Sequence, residues 1–115
     1  MKLPEMTIHD IQRALASGEL SAREIARSTL EKIARSNPQL NAWTHVCEKR
    51  MLAEADNIDT LRRESKPLPA LAGVPYAVKN LFDVAGHTTL AGAELLSDRP
   101  AATADSWAVC QLHSA

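Results

Sequence analysis

The stretch Val74-Pro-Tyr-Ala-Val78 is apolar on both faces and runs directly into a lysine, Lys79. That pairing restricts the fold more than any other part of the chain. A strand without a polar side needs a layer over each face, as in a mixed or parallel sheet covered by helices. Pro75 has no ladder donor, so it belongs near the start of such a strand or on an edge. An ammonium delivered by the strand must snorkel to water, find a partner, lose its proton or take part in chemistry. The residues alone leave all four open.

Upstream the pattern is helical. Thr7 followed by Asp10 approaches a capping box, and Ile8, Ile11 and Leu15 recur at helical spacing until Gly18 offers a stop. Ser21 with Glu24 forms the full box for a second helix with Ala22, Ile25, Ala26, Thr29 and Ile33 on one face, closed by Asn37-Pro38. Residues 8 to 16 and 22 to 35 therefore carry apolar stripes that must be covered. Asn41 to Cys47 mixes Trp, Thr and Val and is predicted as a strand. A third helix is predicted from Glu48 to about Arg63, with Met51, Ala55 and Ile58 on its narrow apolar face.

Pro67 and Pro69 then forbid regular structure and mark a boundary. It divides the chain into a helical region with one strand, residues 1–64, and the start of a different core, residues 65–115. The expected class is α/β: N-terminal helices leading into the first strands of a mixed sheet. Thr103 is placed to cap a last helix in which Ala108, Leu112 and Ala115 repeat, with Val109 beside them. The chain ends within that pattern and reads as cut rather than finished.

Composition removes several classes of function. Thirteen basic residues against 14 acidic ones leave a formal charge of −1, which argues against a nucleic-acid footprint or a polybasic membrane patch. The first six residues hold no apolar run suited to a signal peptide or anchor, so a cytoplasmic address is expected. Only Trp43, Tyr76, Phe82 and Trp107 are aromatic, so a core must rest on Ala, Leu, Ile and Val, and independent stability is doubtful. Cys47 and Cys110 stand apart, without metal-ligand spacing, and read as small buried hydrophobes. His45 and Cys47 would share one side of the predicted strand, but no further cluster makes a metal site of them.

A lysine on a buried strand suits three chemistries. Tyr76-Ala-Val-Lys79 echoes the phosphate-pairing lysine of protein kinases, but the glycine-rich loop required just upstream is replaced by a segment with two prolines and one glycine. A Schiff-base lysine is compatible with the pattern, although no phosphate-binding glycine cluster accompanies it. The third is a neutral amine that accepts the proton of a serine, for which an apolar strand would supply the desolvation.

Leu71-Ala-Gly-Val-Pro-Tyr-Ala-Val-Lys-Asn, followed by Asp83-Val-Ala-Gly86, Thr89 and Ala91-Gly92, resembles the first signature block of the amidase signature family. Gly73, Pro75, Lys79, Asp83 and Gly86 fall in register with it, Asp105 fits the start of the family's next helix, and the upstream helices are also similar. The resemblance implies that Lys79 is the base of a Ser/cis-Ser/Lys triad hydrolysing a carboxamide C–N bond. It implies no cofactor and no metal, a small amide substrate, and either a homodimer or a small partner subunit. The wording around Pro75 to Asp83 is most similar to hydrolases of biuret-like, urea-derived amides. The amidase subunit of glutamyl-tRNA and aspartyl-tRNA amidotransferases shares the block and is the alternative, as is a helical assembly module without catalysis.

Two departures qualify the resemblance. Ala93 stands where the family usually has serine. The glycine- and serine-rich block bearing the other two triad members lies downstream in the family, and Ser97, Ser106 and Ser114 have no flanking glycines. They are expected to cap helices or face water. The 115 residues alone are accordingly expected to be inactive.

Overall fold

The computed structural model describes residues 5–115. Four α-helices are present among them: α1 (Ile8–Ser17), α2 (Ala22–Leu40), α3 (Glu48–Arg63) and α4 (Trp107–Ser114), with a short 3-10 turn at Glu94–Leu96. The chain divides into two compact units, Met1–Pro75 and Tyr76–Ala115.

The first unit is built on α1, α2 and α3. Both capping boxes form: Asp10 N–H donates to Thr7 Oγ1 at 3.2 Å while Thr7 N–H donates to Asp10 Oδ2 at 2.9 Å, and Ser21 and Glu24 repeat the exchange. These bonds satisfy donors that a helix start leaves without partners. They also stabilise the charged carboxylates. Asp10 is held down to about 2 by the Thr7 hydroxyl and backbone N–H, with Arg13 adding to the effect. Glu24 is lowered by the corresponding Ser21 bonds.

A second, non-local cap joins α3 to α2. Asp59 accepts from Ala22 N–H at 2.8 Å and Arg23 N–H at 3.0 Å, and the Arg23 guanidinium pairs with Asp56. A carboxylate against a helix N-terminus is the favourable sense of the helix dipole. Leu15, Ala22, Ala26, Ala55 and Ala72 form the buried cluster, with Met51, Leu52, Ile58 and Leu68 packed against it. Alanines on facing sides of α2 and α3 let these helices pack closely. At the end of α1, Gly18 adopts φ 78°, and Arg62 Nη1 donates to the carbonyls of Leu15 and Leu20 at 3.2 and 3.3 Å. A guanidinium thus sits at the helix C-terminus, where a cation is favoured.

Several expectations need correction. No strand occurs among the described residues, neither at 41–47 nor at 74–78, so the sheet of the expected α/β class is absent from this part of the chain. A strand exists only through ladder bonds to a neighbour, and the apolar pattern cannot provide one by itself. Instead Asn37 holds the 41–47 segment, donating from Nδ2 to Trp43 O at 3.1 Å and accepting Trp43 N–H at 2.9 Å. Asn37-Pro38 does not close α2. The helix runs to Leu40 and ends at Asn41, which takes the left-handed conformation at φ 47°. Pro38 deletes one donor in the last turn, a smaller loss than a break in mid-helix.

The stripes of α1 and α2 are covered at Ile11, Ala14, Leu15, Ala22, Ile25 and Ala26, whereas Ile8 stays exposed. The face predicted for α3 is the observed one, with Ala55 buried at its centre. In the second unit α4 starts after Ser106, not after Thr103, and buries Val109 while Leu112 faces solvent. Cys47 is half-buried but Cys110 is exposed, so only the first approaches a buried hydrophobe; neither forms a disulfide.

Candidate active site

Lys79 lies in the second unit, on an irregular segment that turns sharply after it. Its carbonyl accepts from Leu81 N–H at 2.8 Å and from Phe82 N–H at 3.1 Å. The side chain is exposed, and among the described residues no hydrogen bond or ion pair involves its ammonium. The desolvation expected from a covered strand is therefore not provided by this part of the chain.

The loop that follows is fixed by polar bonds. Asn80 O accepts Ala91 N–H at 2.7 Å and Asn80 Oδ1 accepts Leu90 N–H at 3.2 Å. Thr89 Oγ1 donates to Asp83 Oδ1 at 2.5 Å, and Asp83 O accepts Ser106 N–H at 2.9 Å. Asp105 Oδ1 accepts Ala85 N–H at 2.9 Å, while Gly86 N–H donates to Ala102 O at 2.8 Å and Ala102 N–H to His87 O at 2.9 Å. Gly86 sits at φ 84°, a conformation that costs an L-residue roughly 1–2 kcal/mol. The block picked out in the sequence is thus a turn whose acidic and amide side chains hold its own backbone.

Of the residues in register, Lys79, Asp83, Gly86 and Asp105 fall in this unit and Gly73 and Pro75 in the first. Gly73 has φ 75°, and a Cβ there would meet Leu15 Cδ2 at 3.2 Å, so a glycine is needed both for its backbone and for its closeness to α1. The Asp83 carboxylate accepts from the Thr89 hydroxyl and that of Asp105 from Ala85 N–H, so neither stands free as an acid or base.

The serines are scattered. Ser97 and Ser114 are exposed. Ser106 occupies the N-cap position of α4, but its hydroxyl makes no capping bond, and Oγ is buried without a hydrogen-bond partner. The expected capping role therefore fails at the hydroxyl. In the first unit the ligand atoms of His45 and Cys47 lie within 4.8 Å of each other.

The latching role of Asn80 escaped the sequence reading, because its acceptors meet N–H groups ten and eleven residues away. An amide side chain directly after the lysine was the one available signal. Asp59, the remote cap of α2, gave none.

The family model described as Amidase matches residues 24–115. The chain belongs to the amidase family. Among its relatives in that family is AtzE, a 1-carboxybiuret hydrolase subunit of Pseudomonas sp. (strain ADP), 44% identical over 106 residues, which cover 92% of this chain and 23% of the relative. Another is the A subunit of the glutamyl-tRNA(Gln) amidotransferase of Pelobacter propionicus, 36% identical over 98 residues, covering 85% of this chain and 20% of that one.

A solved structure from a vestigial protein complex bearing on the evolutionary origins of an s-triazine catabolic enzyme, with inhibitor bound, superposes with a TM-score of 0.94 at 44% identity. The match covers 96% of this chain and 24% of that one. This amidase-family chain thus spans about a quarter of the length of these relatives. No helix among the described residues is long and apolar enough to cross a membrane.

Proposed function

We propose that this chain is the N-terminal part of an amidase that hydrolyses a carboxamide C–N bond, with Lys79 as the base of a Ser/cis-Ser/Lys triad. The observation that carries the reading is the turn at Lys79, in register with Asp83, Gly86 and Asp105 and held by the last three residues' own backbone and side-chain bonds. Membership of the amidase family supports it.

In the proposed reaction the neutral Lys79 amine takes a proton from the bridging serine, which takes one from the nucleophilic serine. The nucleophilic oxygen bonds to the amide carbon, the C–N bond breaks, and the proton returns to the departing nitrogen. Water then cleaves the acyl ester. Both serines come from outside these 115 residues, which are therefore inactive alone. Residues 65–115 begin the amidase core in this reading, and residues 1–64 are scaffold. The reading places the protein in the cytoplasm, without a cofactor.

For substrate, the reading favours a small urea-derived amide, supported by the 44% identity to a 1-carboxybiuret hydrolase subunit. The second reading is the glutaminase component of a tRNA amidotransferase, supported by 36% identity to one. Ammonia release by the full-length protein separates them. Hydrolysis of biuret-type amides without a tRNA amidotransferase partner is the expected result, and glutamine hydrolysis only in the presence of such a partner would favour the second. Release from neither class would contradict both.

A further inference from the structure

Lys79 is exposed and makes no side-chain bond among the described residues, so the position of its amine depends on how firmly its main chain is held. The backbone turn directly after it supplies only bonds to its carbonyl from Leu81 and Phe82, which are local. The first tie to a distant part of the unit comes at the next residue. Asn80 contributes two acceptors, the main-chain oxygen to Ala91 N–H at 2.7 Å and Oδ1 to Leu90 N–H at 3.2 Å. A second tie, from Thr89 to Asp83, fastens the adjoining residue of the same segment at 2.5 Å. Residues 89, 90 and 91 are thus bonded in sequence to 83, 80 and 80.

We propose that Asn80 is a positioning residue for Lys79, its side-chain oxygen latching the lysine turn onto the 89–91 segment. The proposal rests on Lys79 being the base. The main-chain half of the latch survives any substitution at position 80, whereas the Oδ1 half belongs to this side chain alone. Leu90 N–H has its partner there, and it loses that partner when the amide is removed. Ala91 stands in the left-handed region at φ 47°, which an L-residue holds only when its surroundings enforce it. The latch at 90 and 91 is part of that enforcement. A proton acceptor works only from a narrow range of positions, and a displacement of about 1 Å lowers a rate by roughly 10²-fold.

The experiment compares N80A, N80L and N80D with the unchanged full-length protein, reading kcat and KM for amide hydrolysis and amide hydrogen exchange at Leu90 and Ala91. N80L and N80A are expected to lose roughly 10- to 100-fold in kcat, with KM within about twofold and faster exchange at Leu90. N80D keeps an oxygen acceptor at the same place and is expected to restore most of kcat and the protection of Leu90. Should N80L not fold, N80A and N80D carry the same comparison. Unchanged kcat in N80A and N80L, or a folded N80D as slow as N80A, overturns the proposal. K79A distinguishes the two levels: hydrolysis retained in K79A removes the base reading and this proposal with it, whereas hydrolysis lost in K79A but intact in N80A removes the positioning role alone.

Discussion

The two units of the chain use opposite means to hold their backbone. In the first, three helices close over Ile11, Leu15, Ile25 and a set of alanines, and the polar bonds serve the helix ends. In the second, Val109 is the one buried hydrophobic residue among those described, Leu81, Phe82, Leu95 and Trp107 stay exposed, and the chain is fixed by Asn80, Asp83, Thr89 and Asp105 acting on backbone or on one another. Burial gives stability roughly in proportion to apolar area, without direction, while hydrogen bonds contribute less but fix orientation. A scaffold is served by the first means. A turn that presents one amine is served by the second.

The sharpest way to break this comparison is to truncate a side chain in each unit. Ile25 is 1% exposed, and Ile25→Ala should destabilise the 115-residue chain by about 2–5 kcal/mol in denaturant unfolding. Leu95 is 89% exposed, and Leu95→Ser should change stability by no more than about 0.5 kcal/mol. Equal costs would mean that the second unit owes as much to burial as the first. Gly73→Ala should cost roughly 1–2 kcal/mol for the left-handed backbone, with the Leu15 contact at 3.2 Å adding to it. A neutral outcome in thermal unfolding would show that the segment relaxes freely away from α1.

Asp59→Ala tests the polar side of the first unit. It removes the acceptor of Ala22 and Arg23 N–H and should cost about 1 kcal/mol. Acid acts on the capping boxes themselves. Asp10 lies at about 2 in the folded chain against an ordinary 3.8, so its contribution is complete above about 3.8 and fades as pH falls through about 2. Glu24, also lowered, acts in the same direction. Thermal midpoints should therefore drop on acidification below about 4, and Asp10→Asn should flatten part of that slope. A midpoint that rises with acid would contradict the capping-box account.

What the sequence made legible follows the range of the interaction. Both capping boxes could be read at Thr7/Asp10 and Ser21/Glu24 because the partners are three residues apart, and α3 could be read because its period and its flanking turns are local. Asp59 capping α2, 37 residues away, left no local trace. The strands expected at 41–47 and 74–78 failed for a related reason: alternation and apolar runs describe what a strand would bury, while its existence depends on a neighbour. The end of α2 was misplaced because Pro38 was given the weight of a mid-helix proline. Ser106 took the cap position from Thr103, although both residue types suit it. Lys79 stood out through its neighbours in register, but its exposure and the latch at Asn80 could be seen only once the loop was folded.

The central claim is that the second unit presents an amine for chemistry, and K79A in the full-length protein tests it most directly. With folding checked by circular dichroism, ammonia release from a small amide should fall by roughly 10²–10⁴-fold, the usual contribution of a general base. Hydrolysis within a few-fold of the unchanged protein would contradict the account and return Lys79 to a solvated lysine on a well-held turn.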